Sequence, residues 1–199
     1  MLRAAAGLGV TGAIGMPASA APAGPVDRRG IPGARNIDHA GIVVRDLDEA
    51  TRFFVEVVGA DLLFRAPPAA GLESKEEAAP GATVAVAFLR FGPTLNLELL
   101  QFTGPGAPKQ PPRVSDNGAV HIAIWVEDVA RAADYLRAQP GVEIVGDIGK
   151  PSTGADKGAT WVYARTPFGV HLELVHRPAH MPYERDVAAR FYGPALAWS

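Results

Sequence analysis

Asn36-Ile-Asp-His-Ala-Gly-Ile-Val-Val-Arg-Asp-Leu-Asp-Glu-Ala-Thr-Arg-Phe-Phe54 is the stretch on which the reading of the fold turns. Its first half alternates apolar residues around a histidine, the period of a strand buried on one face. From Asp46 the spacing becomes that of an amphipathic helix, with Leu47, Ala50, Phe53, Phe54 and Val57 on one side. Asp46 is placed to cap that helix with Glu49 three residues on, and Gly59 closes it. The design returns as His121-Ile-Ala-Ile-Trp-Val-Glu-Asp-Val-Ala-Arg-Ala-Ala-Asp-Tyr-Leu136. Superposed without gaps, His39 falls on His121, Val44 on Val126, Asp46 on Asp128 and Phe53 on Tyr135.

Working outward, residues 61–65 read as a short strand, and 66–81, with three prolines and the charged cluster 73–77, as a loop or flap. Strands are expected over 83–91 and 94–102 around a Gly92-Pro93 turn, completing a β-α-β-β-β module. The proline-rich segment 104–117 separates it from a second module. There a strand at 120–126, a helix at 129–138 and strands at 143–145, 160–165 and 170–175 repeat the order. A glycine-rich loop fills 146–158, and Thr166-Pro-Phe-Gly169 makes the last turn. The fold class is therefore α+β: two paired βαβββ modules, residues 36–103 and 118–178, forming a curved and mainly antiparallel sheet with a cleft. The tail, 179–199, has helical character around 185–191, and Tyr183, Phe191, Tyr192 and Trp198 suit it to pack on the domain or on another subunit.

The ends and the bulk composition narrow the function. With 48% apolar residues, 20% charged residues and a net charge of −2, nothing favours nucleic acid or an anionic membrane as partner. The absence of cysteine removes thiolate catalysis and cysteine metal sites. Met1-Leu-Arg3, an uncharged Ala/Gly-rich run and Pro17-Ala-Ser-Ala20 form a signal-peptide pattern over 1–20, followed by a linker at 21–35. The expectation is a secreted or periplasmic protein, or a cytoplasmic one if the start is not processed. The run is too short to span a bilayer.

The final strands repeat as well: Leu97-Glu-Leu-Leu100 matches Leu172-Glu-Leu-Val175, which pairs Glu98 with Glu173. One histidine or one glutamate in a strand is ordinarily a satisfied core imidazole or a solvent-facing carboxylate, because buried ionisable groups are costly unless paired. Two of each, carried by a repeat in a chain with 5 histidines in 199 residues, argue for chemistry. Strand alternation turns Glu98 away from Leu97 and Leu99, and Glu173 away from Leu172 and Leu174, so each histidine and glutamate points to the side opposite its helix. Modules facing one another would bring two imidazoles and two carboxylates together. That donor set suits a divalent transition or borderline ion with positions left for substrate.

These motifs, Ile37 to Leu47, Leu97 to Leu100, Val120 to Val126 and Pro167 to Val175, resemble the vicinal oxygen chelate superfamily, the glyoxalase, bleomycin-resistance and dioxygenase group. The resemblance implies a divalent metal (Zn, Ni, Co, Mn or Fe) held by His39, Glu98, His121 and Glu173. It further implies an isomerase, epimerase or lyase in which the metal stabilises an enediolate and Glu98 or Glu173 moves the proton. An epimerase-like site would use a separate glutamate, for which Glu76 and Glu77 are the candidates. Two alternatives stand beside this: a ring-cleaving dioxygenase using His39, His121 and Glu173, and a protein that sequesters a small molecule such as an antibiotic without chemistry. A small-molecule substrate and a possible homodimer are the implied partners. Export would separate the enzyme from glutathione and coenzyme A thioesters and favour another substrate. Arg65, Arg90, Lys150 and Arg165 are candidates to steer an anion, and Trp125, Trp161 and His171 to line the cleft. His176 and His180 read as tail residues.

Overall fold

The computed structural model describes residues 31, 32, 34, 36–70, 79–93, 95–107, 110–186 and 188–191. The expected signal peptide, most of the linker after it, Glu76, Glu77, Tyr192 and Trp198 lie outside those residues. The chain divides after Asn36, and Ile37–Ser199 forms the unit that carries the repeat.

Strand β1 (His39–Val43) leads through the Asp46 cap, whose side chain accepts from the Glu49 N–H at 2.9 Å, into helix α1 (Leu47–Arg52). The helix widens into a π-helical turn, Phe53–Val58, that puts Phe53 and Phe54 side by side in the core. Gly59 ends it at φ 85°, a left-handed conformation in which any other side chain would be strained. Strands β2 (Asp61–Ala69), β3 (Thr83–Phe91) and β4 (Leu95–Thr103) complete a sheet of order β1-β4-β3-β2. The second module repeats this with β5 (His121–Trp125), helix α2 (Val129–Arg137), β6 (Glu143–Gly149), β7 (Thr160–Arg165) and β8 (His171–His176) in the order β5-β8-β7-β6. In each sheet the first strand runs parallel to the last and the other pairings are antiparallel. This is the α+β architecture the repeat predicts.

Two strands are longer than their sequence suggests. β2 runs to Ala69 through Pro67 and Pro68, which it tolerates because it is an edge strand and its register with β3 shifts between Ala66 and Ala69. β6 enters the glycine-rich loop as far as Gly149, with a register shift after Val145, and Gly149 lies against the Trp161 ring. The tail forms a 3₁₀ turn at Pro182–Arg185, earlier than the helical character expected at 185–191.

One hydrophobic core serves both modules. Leu47, Phe53, Phe54, Leu97 and Leu99 from the first belong to the same cluster as Val129, Leu136, Leu172 and Leu174 from the second. Phe168, in the turn between β7 and β8, meets Phe53 at 5.5 Å and Phe54 at 5.8 Å, and the Tyr135 hydroxyl donates to the Val57 carbonyl at 3.0 Å. The modules therefore join through their helix-side faces, and the opposite face of each sheet is left for other work.

Candidate metal and substrate site

His39 and His121 begin the edge strands β1 and β5, and Glu98 and Glu173 lie on the adjoining strands β4 and β8. The registers repeat: Glu98 stands opposite Gly41 as Glu173 stands opposite Ala123, two residues past each histidine. Their neighbours Leu97, Leu99, Leu172 and Leu174 are buried in the shared core, so both glutamates point away from it, as strand alternation predicts. His39 Nε2 lies 3.4 Å from Glu98 Oε2, and His121 Nε2 lies 3.0 Å from Glu173 Oε2. An aromatic ring braces each imidazole edge-on, Phe88 at 5.2 Å for His39 and Tyr163 at 5.4 Å for His121. Gly41 leaves room for its carboxylate, since a Cβ there would stand 3.3 Å from Glu98 Oε2.

The four predicted donors thus form two pairs rather than one cluster: among the described residues no group of three or more His, Asp or Glu is placed to hold one ion. Each pair nonetheless fits half a metal site. Two ligands about 2.1 Å from one ion at ordinary angles stand roughly 3.0–3.4 Å apart, the spacing of both pairs. One half is also oriented from behind. His39 Nδ1 donates to Asp38 Oδ1 at 2.8 Å, which fixes the tautomer that leaves Nε2 directed at Glu98. That bond is the main reason the His39 pKa is raised; partial burial opposes it and Glu98 adds to it. Val120 stands at the corresponding position before His121 and offers no such partner.

Other candidates distribute unevenly. His171 is buried beside His121 in the sheet, and its pKa is lowered, first by burial and then by Arg165 and His121. Arg90 and Arg165 continue the two histidine rows across their sheets, but each is paired with an acid on the edge strand: Asp61 at 2.5 Å and Glu143 at 2.7 Å. Arg65 binds Asp48 of α1 at 2.5 Å, on the helix side and not beside either pair. Lys150 is exposed just after β6. His176 ends β8, donates to the Val126 carbonyl at 3.1 Å and packs near Trp125, whereas His180 is exposed beside Glu184.

Glu173 also opens into a cavity of about 600 Å³ floored by Trp161, Tyr163 and Val175 and walled by Tyr183 and Phe191 of the tail. Such a volume, mostly apolar with a few polar groups, is typical of small-molecule sites. Sequence reading reached Trp161 but missed Asp38, Tyr163 and the tail wall. For Tyr163 the signal was present, because it has the strand parity of Arg165 and Trp161 and lies opposite Glu173.

Doubled βαβββ modules, each offering a histidine and a glutamate at the same register, define the architecture of vicinal oxygen chelate proteins. The chain belongs to the Glyoxalase/Bleomycin resistance protein/Dioxygenase superfamily, which it matches over residues 36–174. It is 45% identical over 174 residues, 86% of this chain and 95% of the relative, to a 2-epi-5-epi-valiolone epimerase from Actinomyces sp. Among solved structures, a glyoxalase family protein from Bacillus cereus superposes with a TM-score of 0.59 at 23% identity, covering 74% of this chain and 99% of that one. Glyoxalase I from Zea mays superposes with a TM-score of 0.51 at 26% identity, covering 71% of this chain and 44% of that one.

Proposed function

We propose that this chain is an isomerase-type enzyme of the superfamily, a divalent-metal-dependent epimerase that inverts a carbon next to the carbonyl of a small hydroxy ketone. The observation that carries the proposal is the doubled His–Glu pair at metal-ligand spacing; the relative named as an epimerase supports the reaction class. His39, Glu98, His121 and Glu173 would hold the ion, which would supply Lewis-acid polarisation of a substrate carbonyl. Epimerisation requires a proton to leave one face of a carbon and a proton to return to the other. Glu98 and Glu173, contributed by opposite half-sites, would meet that requirement without a separate glutamate, one as base and the other as acid.

Because the two pairs face away from the shared core, we infer that a complete site forms between two copies, with the first module of one against the second module of its partner. Both histidines lie on edge strands whose outer ladder positions are open to another chain, and apolar Val43 at the end of β1 is 47% exposed. A pattern of two histidines and two glutamates, with an epimerase among the relatives, favours this reading over ring cleavage or sequestration.

The test is metal analysis together with solvent exchange. The purified protein is expected to hold about one divalent ion per chain and to exchange deuterium from D2O into 2-epi-5-epi-valiolone or a related hydroxy ketone. Less than about half an equivalent of metal, with no exchange on adding it, would sink the proposal. The signal pattern over 1–20 supports export, for which intact-mass analysis of secreted protein is expected to show a chain beginning at Ala21.

A further inference from the structure

The match to the superfamily ends at residue 174, yet seven of the thirteen residues lining the cavity beside Glu173 lie beyond it. We propose that the tail residues Arg177, Met181, Tyr183 and Phe191 form the specificity-determining wall of the substrate site, and that this wall selects an uncharged, ring-shaped polyol of monosaccharide size.

The wall is built rather than draped. The Tyr183 N–H donates to the Ala155 carbonyl at 3.2 Å, tying the segment to the loop between β6 and β7. The Phe191 N–H donates to the Tyr183 hydroxyl at 2.9 Å, which folds the segment back on itself, and the two rings meet edge-on at 5.4 Å. The Arg177 guanidinium lies over the Phe191 ring, 4.3 Å from its centre, while Arg190 is 3.5 Å from Glu184. Aromatic surface on two sides offers stacking to the C–H faces of a saturated ring. Polar groups on the lining are few: the Glu173 and Asp156 carboxylates can accept from hydroxyls, and Arg177 can donate to them. The Glu173 and Asp156 carboxylates stand against the Arg177 and Arg190 guanidiniums on the same lining, so it carries no net charge to draw an ion. The volume of about 600 Å³ holds a single six-membered polyol ring with bound water.

The inference rests on the epimerase reading for the chemistry at Glu173, but binding can be tested apart from it. Myo-inositol has the ring and the hydroxyls but no ketone, so it cannot be turned over. Titrated into the full metal-loaded chain and followed by saturation-transfer NMR, it is expected to bind the wild type. Binding is expected to weaken by about fivefold or more in Tyr183→Ala, and by less in Tyr183→Phe, which keeps the ring and loses only the bond from Phe191. Myo-inositol 1-phosphate is expected to bind no better than the neutral ring. No binding by the wild type, equal binding by all three proteins, or clear preference for the phosphate would each overturn the proposal. Inositol binding without exchange on any hydroxy ketone would sink the epimerase reading and leave the wall standing.

Discussion

His39 and His121 occupy equivalent positions in unequal surroundings, and the difference lies in one residue. Asp38 holds Nδ1 of His39, whereas Val120 offers His121 no such partner beside its glutamate and Tyr163. The half-site of the second module should therefore be the more easily broken. The double variant His121→Ala, Glu173→Gln is expected to lose most of its metal by elemental analysis while keeping its circular dichroism; unchanged metal content would remove His121 and Glu173 from the ligand set. Buried His171 gives a separate, pH-dependent effect. Its folded-state pKa lies below the unfolded value of about 6.5, so the unfolded chain takes up the proton first as pH falls. Stability contributed by the neutral ring is intact above about pH 6.5 and declines below it until the folded pKa is passed. Urea midpoints of metal-free protein measured between about pH 7.5 and 5 should fall less steeply in His171→Gln than in the wild type. None of this was legible without the fold, because sequence parity placed His171 on the cleft side but carried no information on how deeply it is buried.

At the scale of elements, the helix cap, the strand alternation and the glycine stop after α1 were all readable, since each depends on residues within a turn or two. The Thr166-Pro-Phe-Gly169 turn was readable only as a turn. In the structure its Phe168 is a plug between the modules, 4% exposed and in contact with both Phe53 and Phe54. Phe168→Ala is expected to destabilise by about 3–5 kcal/mol in urea unfolding, the cost of a buried aromatic cavity. Similarly, the pairing with Trp161 that ends β6 depends on Gly149, where a Cβ would come within 2.6 Å of the Trp161 ring. Gly149→Ala should cost about 1–3 kcal/mol and, because Trp161 floors the cavity, should also weaken substrate binding. An effect on binding with no loss of stability would mean that Trp161 yields without strain.

For the whole molecule, the decisive fact is that the two sheets share a core through their helix sides, which turns the two His–Glu pairs outward. The proposed completion between two copies has a specific consequence. His39→Ala chains carry a sound second module, and Glu173→Gln chains a sound first module. Each variant alone is expected to be inactive, but unfolding and refolding them together should restore about a quarter of wild-type activity, from the intact site in each mixed dimer. A mixture as inactive as its parts would place the complete site within one chain. The sequence by itself determined the repeat, the strand and helix order, and the face on which each histidine and glutamate lies. Those follow from periods of two and 3.6 residues, and such periods are local. Only the tertiary structure decided that the two histidines and two glutamates gather as two pairs, and that the tail closes a cavity over one of them. An outward polar face reads the same whether it meets the other module of its own chain or that of a partner, so the choice is made by packing between distant segments.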